Sequence, residues 1–368
     1  MRIIVSGGGT GGHIYPAISI IQELKNRDPN NKILYVGEVD GMEKEIAKKY
    51  SIDYEGIRVK GMPRKINGQI FVFLKELFFG LKQSKKILKE FKPDVIIGTG
   101  GFVSGPILYK GSKTKAFTMI HEQNTYPGVA NRILSKYVDK IAITYEESKK
   151  YFKNPERTVL TGNPIRNDFE LCDRESAYKR FSLDKNKKTI LVFGGSFGSK
   201  KINDVMPEII KKINGSNEIQ LIHVTGRYFY KEFCENIKDI KLKENIKIFE
   251  YMDDIPSAYS ITDLIITSSG AITLSEISYI GIASILIPKS YTTGNHQEKN
   301  AKLYEEAKAS IMIRESELNE NILYDKINEI VYNNKMIDSM KNKSITLSKK
   351  DAKKLIVDIV YNNVGDNI

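Results

Sequence analysis

The stretch Val5-Ser-Gly-Gly-Gly-Thr-Gly-Gly-His-Ile-Tyr-Pro-Ala17 (VSGGGTGGHIYPA) decides the fold, because it joins an apolar run to a glycine-rich turn. Residues Ile3 to Ser6 are predicted to form a strand, and we expect a helix to begin near Pro16. Such a turn exposes backbone N–H groups at a helix N-terminus, where the helix dipole favours an anion. The stretch therefore predicts the first turn of a doubly wound α/β domain with a phosphate site.

Short apolar runs alternate with amphipathic stretches along the chain, which is typical of parallel sheets covered by helices. The alternation begins again at Thr189 with TILVFGGSFGSKKIN, so the chain is predicted to contain two such domains. The strands predicted for the first domain are Ile3 to Ser6, Ile33 to Val36, Val95 to Gly98, Ala116 to Ile120 and Lys140 to Thr144, with helices at Ala17 to Arg27 and Lys82 to Phe91.

The domain boundary is predicted in the segment Thr161 to Asp168, because Gly162-Asn163-Pro164 is a turn and breaker signal. We predict a first domain over residues 1–163 and a second over residues 167–346. The amphipathic pattern from Ser348 to Asn363 predicts a helix. The C-terminal segment 347–368 is expected to pack back on the first domain.

The charge distribution points to a polyanionic partner for the first half of the chain. Lys and Arg outnumber Asp and Glu by 27 to 16 in residues 1–160, but only by 30 to 29 in the rest of the 368 residues. The start of the chain carries no signal-peptide pattern, which favours the cytoplasm. Cys172 and Cys234 form no CxxC or His/Cys cluster, which argues against a disulfide scaffold or zinc site. A nucleic-acid-binding protein is the non-enzyme alternative for the basic half, but the sequence contains no recognised nucleic-acid-binding motif.

Glycine-rich turns follow predicted strands in both halves. Besides the first turn, they are Ile96 to Pro106 (IIGTGGFVSGP), Phe193 to Lys201 (FGGSFGSKK) and Ser268 to Glu276 (SSGAITLSE). Gly7, Gly9 and Gly12 also satisfy GxGxxG, and Glu38 could bind a ribose, so an NAD(P)-dependent oxidoreductase is an alternative. Phosphate-type turns in both domains favour instead a transferase with two phosphorylated substrates in an inter-domain cleft.

An ordered series of motifs resembles the bacterial lipid I N-acetylglucosaminyltransferases, which are GT-B glycosyltransferases. The motifs are GGGTGGHIYPA, GTGGFVSGP, HEQNTYPGVANR, TGNPIR, GGSFGSKKIN, YMDD, SGAITLSEI and NHQEKNA, spanning positions 7 to 301. The resemblance implies a GT-B fold of two Rossmann-like domains. It also implies inverting transfer of N-acetylglucosamine from UDP-GlcNAc to the C4 hydroxyl of MurNAc in undecaprenyl-diphospho-MurNAc-pentapeptide. Another UDP-sugar transferase of the GT-B class is the alternative.

The resemblance also implies which residues bind the two substrates. Met252 would lie near the uracil, Glu276 would bind the ribose hydroxyls and Arg166 would assist at the UDP phosphates. Three positions depart from the family pattern: Ser199, Ser268 and Gly294, where alanine, arginine and aspartate are common. The implied UDP-GlcNAc site comprises Thr10, Gly11, Gly12, Asn124, Arg166, Ser196, Met252, Ala271, Ile272, Thr273, Leu274, Ser275, Glu276 and Gln297, and the acceptor diphosphate site comprises Gly9, Thr10, Gly100, Gly101 and Ser104.

His13 is the candidate general base, because a histidine titrates near neutrality and this one borders a phosphate-type turn. A capping or phosphate-orienting role is the alternative. No Asp-x-Asp motif is present, and Asp253-Asp254 is better explained as a helix-start pair. We therefore expect no obligatory metal and no other cofactor.

The stretch Ile66 to Phe91 combines an apolar face with surrounding cations, Arg64, Lys65 and Lys75 among them. Lys75 and Glu76 interrupt the apolar run, so it is too short to span a bilayer. We predict that it docks on an anionic membrane surface, which would make the protein peripheral on the cytoplasmic side of the cell membrane. Core packing is the alternative. The predicted membrane-facing residues are Ile70, Phe73, Leu74, Leu77, Phe78 and Leu81.

Overall fold

The computed structural model describes residues 1–63, 68–169 and 172–364. The chain divides into two compact units. The first comprises Met1–Arg166 together with Lys349–Ile368, and the second comprises Asn167–Ser348. The boundary thus falls inside the segment predicted as the linker, and the C-terminal segment enters the first unit at Lys349.

The first unit is built on a parallel sheet of seven described strands in the order β3-β2-β1-β4-β5-β6-β7. Its central strands are runs of Ile and Val because both of their faces are covered, and Ile3, Ile4 and Val5 are fully buried. The edge strands β3 and β7 were not predicted. The strands are β1 (Arg2–Gly7), β2 (Lys32–Glu38), β3 (Asp53–Ile57), β4 (Val95–Gly100), β5 (Phe117–Glu122), β6 (Lys140–Ile143) and β7 (Thr158–Leu160).

The helices of this unit lie in the connections between its parallel strands. They are α1 (Gly11–Arg27), α2 (Met42–Lys49), α3 (Gln69–Phe91), α4 (Ser104–Gly111) and α5 (Val129–Leu134), with 3-10 turns at Glu146–Tyr151 and Pro155–Arg157.

Helix α1 begins at Gly11, so the prediction of a start near Pro16 is wrong by about one and a half turns. The reason is local: the Thr10 carbonyl accepts from the N–H groups of His13 and Ile14, at 3.0 and 3.2 Å, and closes the first turn upstream of the proline. The preference of proline for the first turn predicts a helix start at Pro16, whereas Pro16 lies within the helix. His13 consequently lies in the first turn of α1.

The second unit repeats the architecture with a described parallel sheet in the order β10-β9-β8-β11-β12-β13. Its strands are β8 (Lys188–Phe193), β9 (Ile219–Val224), β10 (Ile246–Phe249), β11 (Leu264–Thr267), β12 (Ala283–Leu286) and β13 (Ser310–Met312). Its helices are α6 (Arg174–Phe181), α7 (Lys200–Ile213), α8 (Tyr230–Asn236), α9 (Ile255–Ser260), α10 (Ala271–Ile280), α11 (His296–Glu306), α12 (Glu320–Val331) and α13 (Asn334–Thr346), with 3-10 turns at Asn167–Phe169 and Thr293–Asn295.

The last helix, α14 (Ala352–Val364), belongs to the first unit. Its apolar face, with Ile356 and Val360 fully buried, shares one core with α1. Arg27 of α1 also forms a 2.6 Å ion pair with Asp358. The C-terminal segment is therefore an integral part of the first unit's core.

Each sheet has one point at which the strand order reverses, between β1 and β4 in the first and between β8 and β11 in the second. Ligands of open α/β sheets bind beside such points, at the carboxyl ends of the strands. All four predicted glycine-rich turns directly follow these four strands. The fold thus places the predicted turns where each sheet is suited to hold a ligand.

Candidate functional site

The two glycine turns of the first unit pack against each other through bare backbone. Gly9, Gly100 and Gly101 have φ angles of +81°, +101° and +79°, in the left-handed region that favours glycine. A Cβ on Gly101 would collide with the carbonyl oxygen of Gly8. Both turns therefore need glycine to adopt this arrangement.

The ring of His13 is held at this junction by three neighbours. Its Nδ1 lies 3.0 Å from the Thr99 carbonyl oxygen and 3.1 Å from Oε1 of Gln123. Thr99 Oγ1 also donates to the His13 carbonyl at 2.7 Å. A Cβ on Gly100 would lie 2.8 Å from Nδ1, so Gly100 makes room for the ring. His13 is half-buried, and its ring position is fixed through the Nδ1 edge.

The loop that contains Asn124 is organised by one buried carboxylate. Glu122 is 1% exposed and accepts from the backbone N–H of Asn124 at 3.0 Å and of Gly128 at 3.0 Å. The side-chain amides of Asn124 and Asn131 also donate to it, at 3.1 and 2.9 Å. Asn124 is therefore pinned at the carboxyl end of β5, in the same unit as His13.

Two predicted contact residues of the first unit have structural contacts of their own. Ser104 is fully buried, and its hydroxyl donates to the Gly101 carbonyl at 3.0 Å, so it supports the turn and does not line it. Arg166 is 7% exposed, and its guanidinium stacks on the ring of Tyr15 at 4.2 Å. Arg166 therefore belongs with α1 of the first unit, whereas Ser196 lies in the second. The remaining predicted residues, Thr10, Gly11 and Gly12, lie at the N-terminus of α1.

The glycine turn after β8 also depends on left-handed glycines. Gly195 and Gly198 have φ angles of +79° and +77°, and a Cβ on Gly198 would collide with the Thr225 carbonyl. Ser196 is exposed at the tip of this turn. Ser199, a departure from the family pattern, is the N-cap of α7, where its hydroxyl accepts from the Ile202 N–H. That departure therefore has a local structural role.

Lys289, which the sequence motifs did not indicate, forms a hydrogen bond to the turn after β8. Lys289 Nζ donates to the Gly198 carbonyl at 2.7 Å. Burial lowers the pKa of Lys289, and the nearby carboxylate of Glu315 opposes that shift. The loop that carries Lys289 is tied in turn to Gln297, whose Oε1 accepts from the Lys289 N–H at 3.0 Å. Gln297 thus connects the start of α11 to the exit of β12.

The predicted run from Ala271 to Glu276 lies at the start of α10, so its side chains point in different directions. Leu274 is fully buried, so its side chain packs inside the second unit. Glu276 is 8% exposed and accepts from the Tyr259 hydroxyl at 3.2 Å. Ile272, Thr273 and Ser275 are half-buried and Ala271 is buried. Met252 is half-buried in the loop after β10.

The other two positions that depart from the family pattern, Ser268 and Gly294, also lie in loops of the second unit. Ser268 is 3% exposed, and its hydroxyl would lie 3.4 Å from a Cβ on Gly195. Gly294 has a φ angle of +63°, which glycine adopts more readily than the aspartate common there.

The predicted membrane segment forms α3, and its apolar residues divide between two faces. Phe71, Leu74 and Phe78 recur at helical spacing and are 75%, 53% and 65% exposed. Ile70, Phe73, Leu77 and Leu81 are half-buried. Arg64, Lys65 and Ile66 lie outside the described residues. We call Phe71, Leu74 and Phe78 the α3 apolar face.

Two features of the described parts of the chain concern metals and membranes. Within residues 1–63, 68–169 and 172–364, no group of three or more His, Cys, Asp and Glu side chains is placed to hold a metal ion. None of the helices in those ranges is both long enough and apolar enough to cross a bilayer.

Comparison with known proteins gives a match in each unit and along the whole chain. Residues 3–143 match the glycosyltransferase family 28 N-terminal domain, and residues 189–356 match its C-terminal domain. A protein of Finegoldia magna named UDP-N-acetylglucosamine--N-acetylmuramyl-(pentapeptide) pyrophosphoryl-undecaprenol N-acetylglucosamine transferase is 52% identical over 364 residues, covering 98% of both chains. The chain belongs to glycosyltransferase family 28.

Solved structures place this family 28 protein in the GT-B fold. The crystal structure of MurG from Acinetobacter baumannii has a TM-score of 0.74 at 23% identity and covers 98% of this chain and 99% of its own. A UDP-GlcNAc 2-epimerase from Neisseria meningitidis, solved with UDP-GlcNAc bound, has a TM-score of 0.72 at 15% identity, covering 98% and 100%. The predicted GT-B architecture of two doubly wound units is confirmed. Because an epimerase shares the fold, the fold alone does not determine the reaction.

The sequence motifs did not single out four residues that the structure places at these turns: Thr99, His121, Gln123 and Lys289. His121 and Gln123 lie in the quoted motif HEQNTYPGVANR, at the carboxyl end of β5, and only Asn124 was taken from it. Their position at the carboxyl end of β5, which pairs with β4 next to the reversal of strand order, could have indicated them. Lys289 follows the end of β12 by three residues and gave the same kind of signal.

Proposed function

We propose that this family 28 protein transfers N-acetylglucosamine from UDP-GlcNAc to the C4 hydroxyl of MurNAc in undecaprenyl-diphospho-MurNAc-pentapeptide, a step of peptidoglycan synthesis. The observation that carries the proposal is 52% identity along 98% of the chain to a protein named for this transfer. Membership in a glycosyltransferase family favours this reaction over the NAD(P)-dependent alternative. Inversion at the anomeric carbon is the stereochemical outcome of a single in-line displacement.

The second unit is suited to the donor. The turn after β8 directs backbone N–H groups from the start of α7 toward an anion, and Ser196 is exposed at its tip. Lys289 adds a cation behind the turn. We assign the UDP diphosphate to this turn, the ribose to Glu276 and the uracil to the neighbourhood of Met252.

The first unit is suited to the acceptor and to proton removal. The turn at Gly9 and Thr10 offers the helix N-terminus of α1 to the acceptor diphosphate. His13 lies in the first turn of that helix, where its imidazole is a suitable general base for the attacking hydroxyl. We assign it that role.

We propose that no metal ion is required, because helix N-termini and Lys289 can stabilise the departing diphosphate. Turnover in excess EDTA should match turnover in added Mg²⁺ to within about twofold. Complete loss of activity in EDTA, restored by Mg²⁺, would contradict this part of the proposal.

We propose that the α3 apolar face docks the protein on the cytoplasmic surface of the membrane, where the polyprenyl acceptor resides. Five exposed lysines on the same helix, Lys75, Lys82, Lys85, Lys86 and Lys89, suit anionic headgroups. Two exposed aromatic rings can bury themselves at the headgroup boundary.

Vesicle sedimentation tests the docking surface. Changing both Phe71 and Phe78 to Ser should release the protein from vesicles that contain anionic phospholipid. Changing Tyr332 to Ser is a matched control, because Tyr332 is 58% exposed in the second unit. Equal binding of the double variant and the control, with unchanged thermal unfolding, would defeat the docking proposal.

A donor competition assay tests the reaction itself. With a MurNAc-pentapeptide polyprenyl diphosphate as acceptor, UDP-GlcNAc should give a disaccharide product, and UDP-GalNAc should react far more slowly. Equal use of both donors would favour the alternative of another UDP-sugar transferase.

A further inference from the structure

We infer that Gln123 and His121 are positioning residues that hold His13 as its Nδ1–H tautomer, which leaves Nε2 unprotonated and able to accept the proton of the attacking hydroxyl. All of these residues lie in the first unit. The role of Nε2 as proton acceptor rests on the proposed transfer reaction.

The tautomer of His13 follows from what faces its Nδ1. Both neighbours of Nδ1, the Thr99 carbonyl and Oε1 of Gln123, are acceptors, at 3.0 and 3.1 Å. An unprotonated Nδ1 would place a lone pair against two oxygen lone pairs, so Nδ1 must carry the hydrogen. A neutral imidazole protonated at Nδ1 has its lone pair on Nε2.

The orientation of the Gln123 amide is fixed independently. Its Nε2 donates to the Thr99 carbonyl at 2.7 Å and faces Nδ1 of His121 at 3.0 Å. A flipped amide would set its oxygen against the Thr99 carbonyl, which cannot donate. The amide therefore presents its oxygen to His13.

His121 completes the chain of hydrogen bonds. Its Nε2 lies 3.0 Å from the Gly162 carbonyl and must donate to it, so Nδ1 of the neutral ring is an acceptor. This Nδ1, at 3.0 Å, and the His121 carbonyl, at 3.2 Å, both face the amide nitrogen of Gln123. His121 is fully buried and Gln123 is 1% exposed, so water does not compete for these bonds. Burial also lowers the pKa of His121 to about 4, which keeps the ring neutral near pH 7. The relay thus runs from Gly162 through His121 and Gln123 to His13.

In the transfer step, the acceptor oxygen forms a bond to C1 of N-acetylglucosamine while the bond from C1 to the β-phosphate oxygen breaks. That electron pair leaves on UDP, and the hydroxyl proton passes to Nε2 of His13. The positive charge on the ring is then stabilised through Nδ1–H by the Thr99 carbonyl and Gln123 Oε1.

The direct test is a long-range ¹H–¹⁵N NMR spectrum of protein labelled at histidine nitrogen, at a pH where His13 is neutral. His13 is assigned from the missing signals of His13→Gln, and no substrate is needed. We expect a protonated Nδ1 and an unprotonated Nε2. Observation of the Nε2–H tautomer in the unaltered protein would overturn the inference.

A variant series separates positioning from general stability. Gln123→Met removes one of the two acceptors that face Nδ1 and leaves the Thr99 carbonyl, so a detectable fraction of the rings should shift to the Nε2–H tautomer. We expect kcat to fall by about three- to tenfold, with KM for UDP-GlcNAc unchanged to within about twofold. Thr118→Val is the matched control, since Thr118 is buried on the same strand and its hydroxyl bonds Asp139, outside the relay. Wild-type tautomer and kcat in Gln123→Met would overturn the inference.

The two proposals fail in different ways. Retention of kcat by His13→Gln would overturn the general-base role of His13. The hydrogen-bonded relay would then have no part in the transfer step, whichever tautomer the NMR spectrum shows. An Nε2–H tautomer combined with loss of kcat in His13→Gln would overturn only the relay.

Discussion

The two units of this protein share one topology but carry different side chains at the same topological position. In each sheet, glycine turns follow the two strands that flank the reversal of strand order. In the first unit the turns surround an imidazole whose Nδ1 faces two oxygen acceptors. In the second unit the turn after β8 is braced by the ammonium group of Lys289. The two units therefore differ in the side chain beside their turns, an imidazole in the first and an ammonium group in the second.

On the proposed function, this difference assigns acceptor binding and proton removal to the first unit and donor binding to the second. The bare backbone of the turns is common to both units, because an anion site at a helix N-terminus needs close approach. The side chains beside these turns differ: His13 and Gln123 in the first unit, and Lys289 in the second. Variants in each unit should therefore change different measured quantities.

The largest expected effect is that of His13→Gln in the first unit. Loss of the base should lower kcat by about 10²- to 10⁴-fold, while UDP affinity, measured by calorimetry, stays within about twofold. A variant that instead lost UDP binding and kept kcat would reverse the assignment of the two units.

Alanine at left-handed glycines should destabilise both units alike. Gly101→Ala and Gly198→Ala each force a Cβ into a carbonyl oxygen at positive φ, and each should cost at least about 2 kcal/mol of unfolding free energy. Urea denaturation measures this.

The controls are Gly105→Ala and Gly270→Ala. A Cβ on Gly105 meets nothing within 4 Å, and one on Gly270 meets only Thr273 Oγ1 at 3.9 Å. Equal losses of stability in the variants and their controls would show that the turns do not depend on glycine.

A buried histidine in each unit should make stability fall in acid. Burial lowers the pKa of His121 to about 4 and of His223 to about 3, both below the ordinary 6.5. Between those values the unfolded chain binds more protons, so stability is complete near pH 7 and is lost as the pH falls. Each histidine should remove roughly 2 kcal/mol between pH 7 and pH 5.

Urea unfolding at both pH values measures this effect. His223→Leu should reduce the loss of unfolding free energy between pH 7 and pH 5 by roughly 2 kcal/mol, whatever the stability of the variant at pH 7. An unchanged difference between pH 7 and pH 5 in that variant would refute the contribution assigned to His223.

The smallest expected effect is that of Lys289→Met in the second unit. Loss of the brace on the Gly198 carbonyl should weaken UDP binding by about tenfold, or about 1.4 kcal/mol, and leave the tautomer of His13 unchanged. Lys211→Met, an exposed position on α7, is the control. Wild-type UDP affinity in Lys289→Met would show that the brace has no part in donor binding.

The sequence was sufficient to predict the features that depend on local pattern. Ile and Val runs predicted the central strands because strands buried on both faces are continuously apolar. Glycine clusters after those strands predicted the turns. The edge strand β3 was missed because Asp53, Glu55 and Gly56 give it no apolar run.

The residues around His13 that the sequence did not indicate depend on contacts between distant parts of the chain. His13 lies 86 positions from Thr99 and 110 positions from Gln123 along the sequence, so no local pattern indicates that they meet. Ser104 illustrates a related point: its place in a glycine turn suggested a ligand contact, and the structure adds a hydrogen bond from its hydroxyl to the Gly101 carbonyl in the same turn. Pro16 suggested a helix start, but α1 begins at Gly11 because the Thr10 carbonyl accepts the first hydrogen bonds of the helix.

The most direct test of the central claim is a turnover assay with UDP-GlcNAc and undecaprenyl-diphospho-MurNAc-pentapeptide, followed by mass spectrometry of the lipid product and analysis of its glycosidic linkage. We predict release of UDP in equal amount to a lipid-linked disaccharide with a β-1,4 linkage. Release of UDP without a disaccharide, or conversion of UDP-GlcNAc to an epimer in the absence of the lipid, would contradict the assignment.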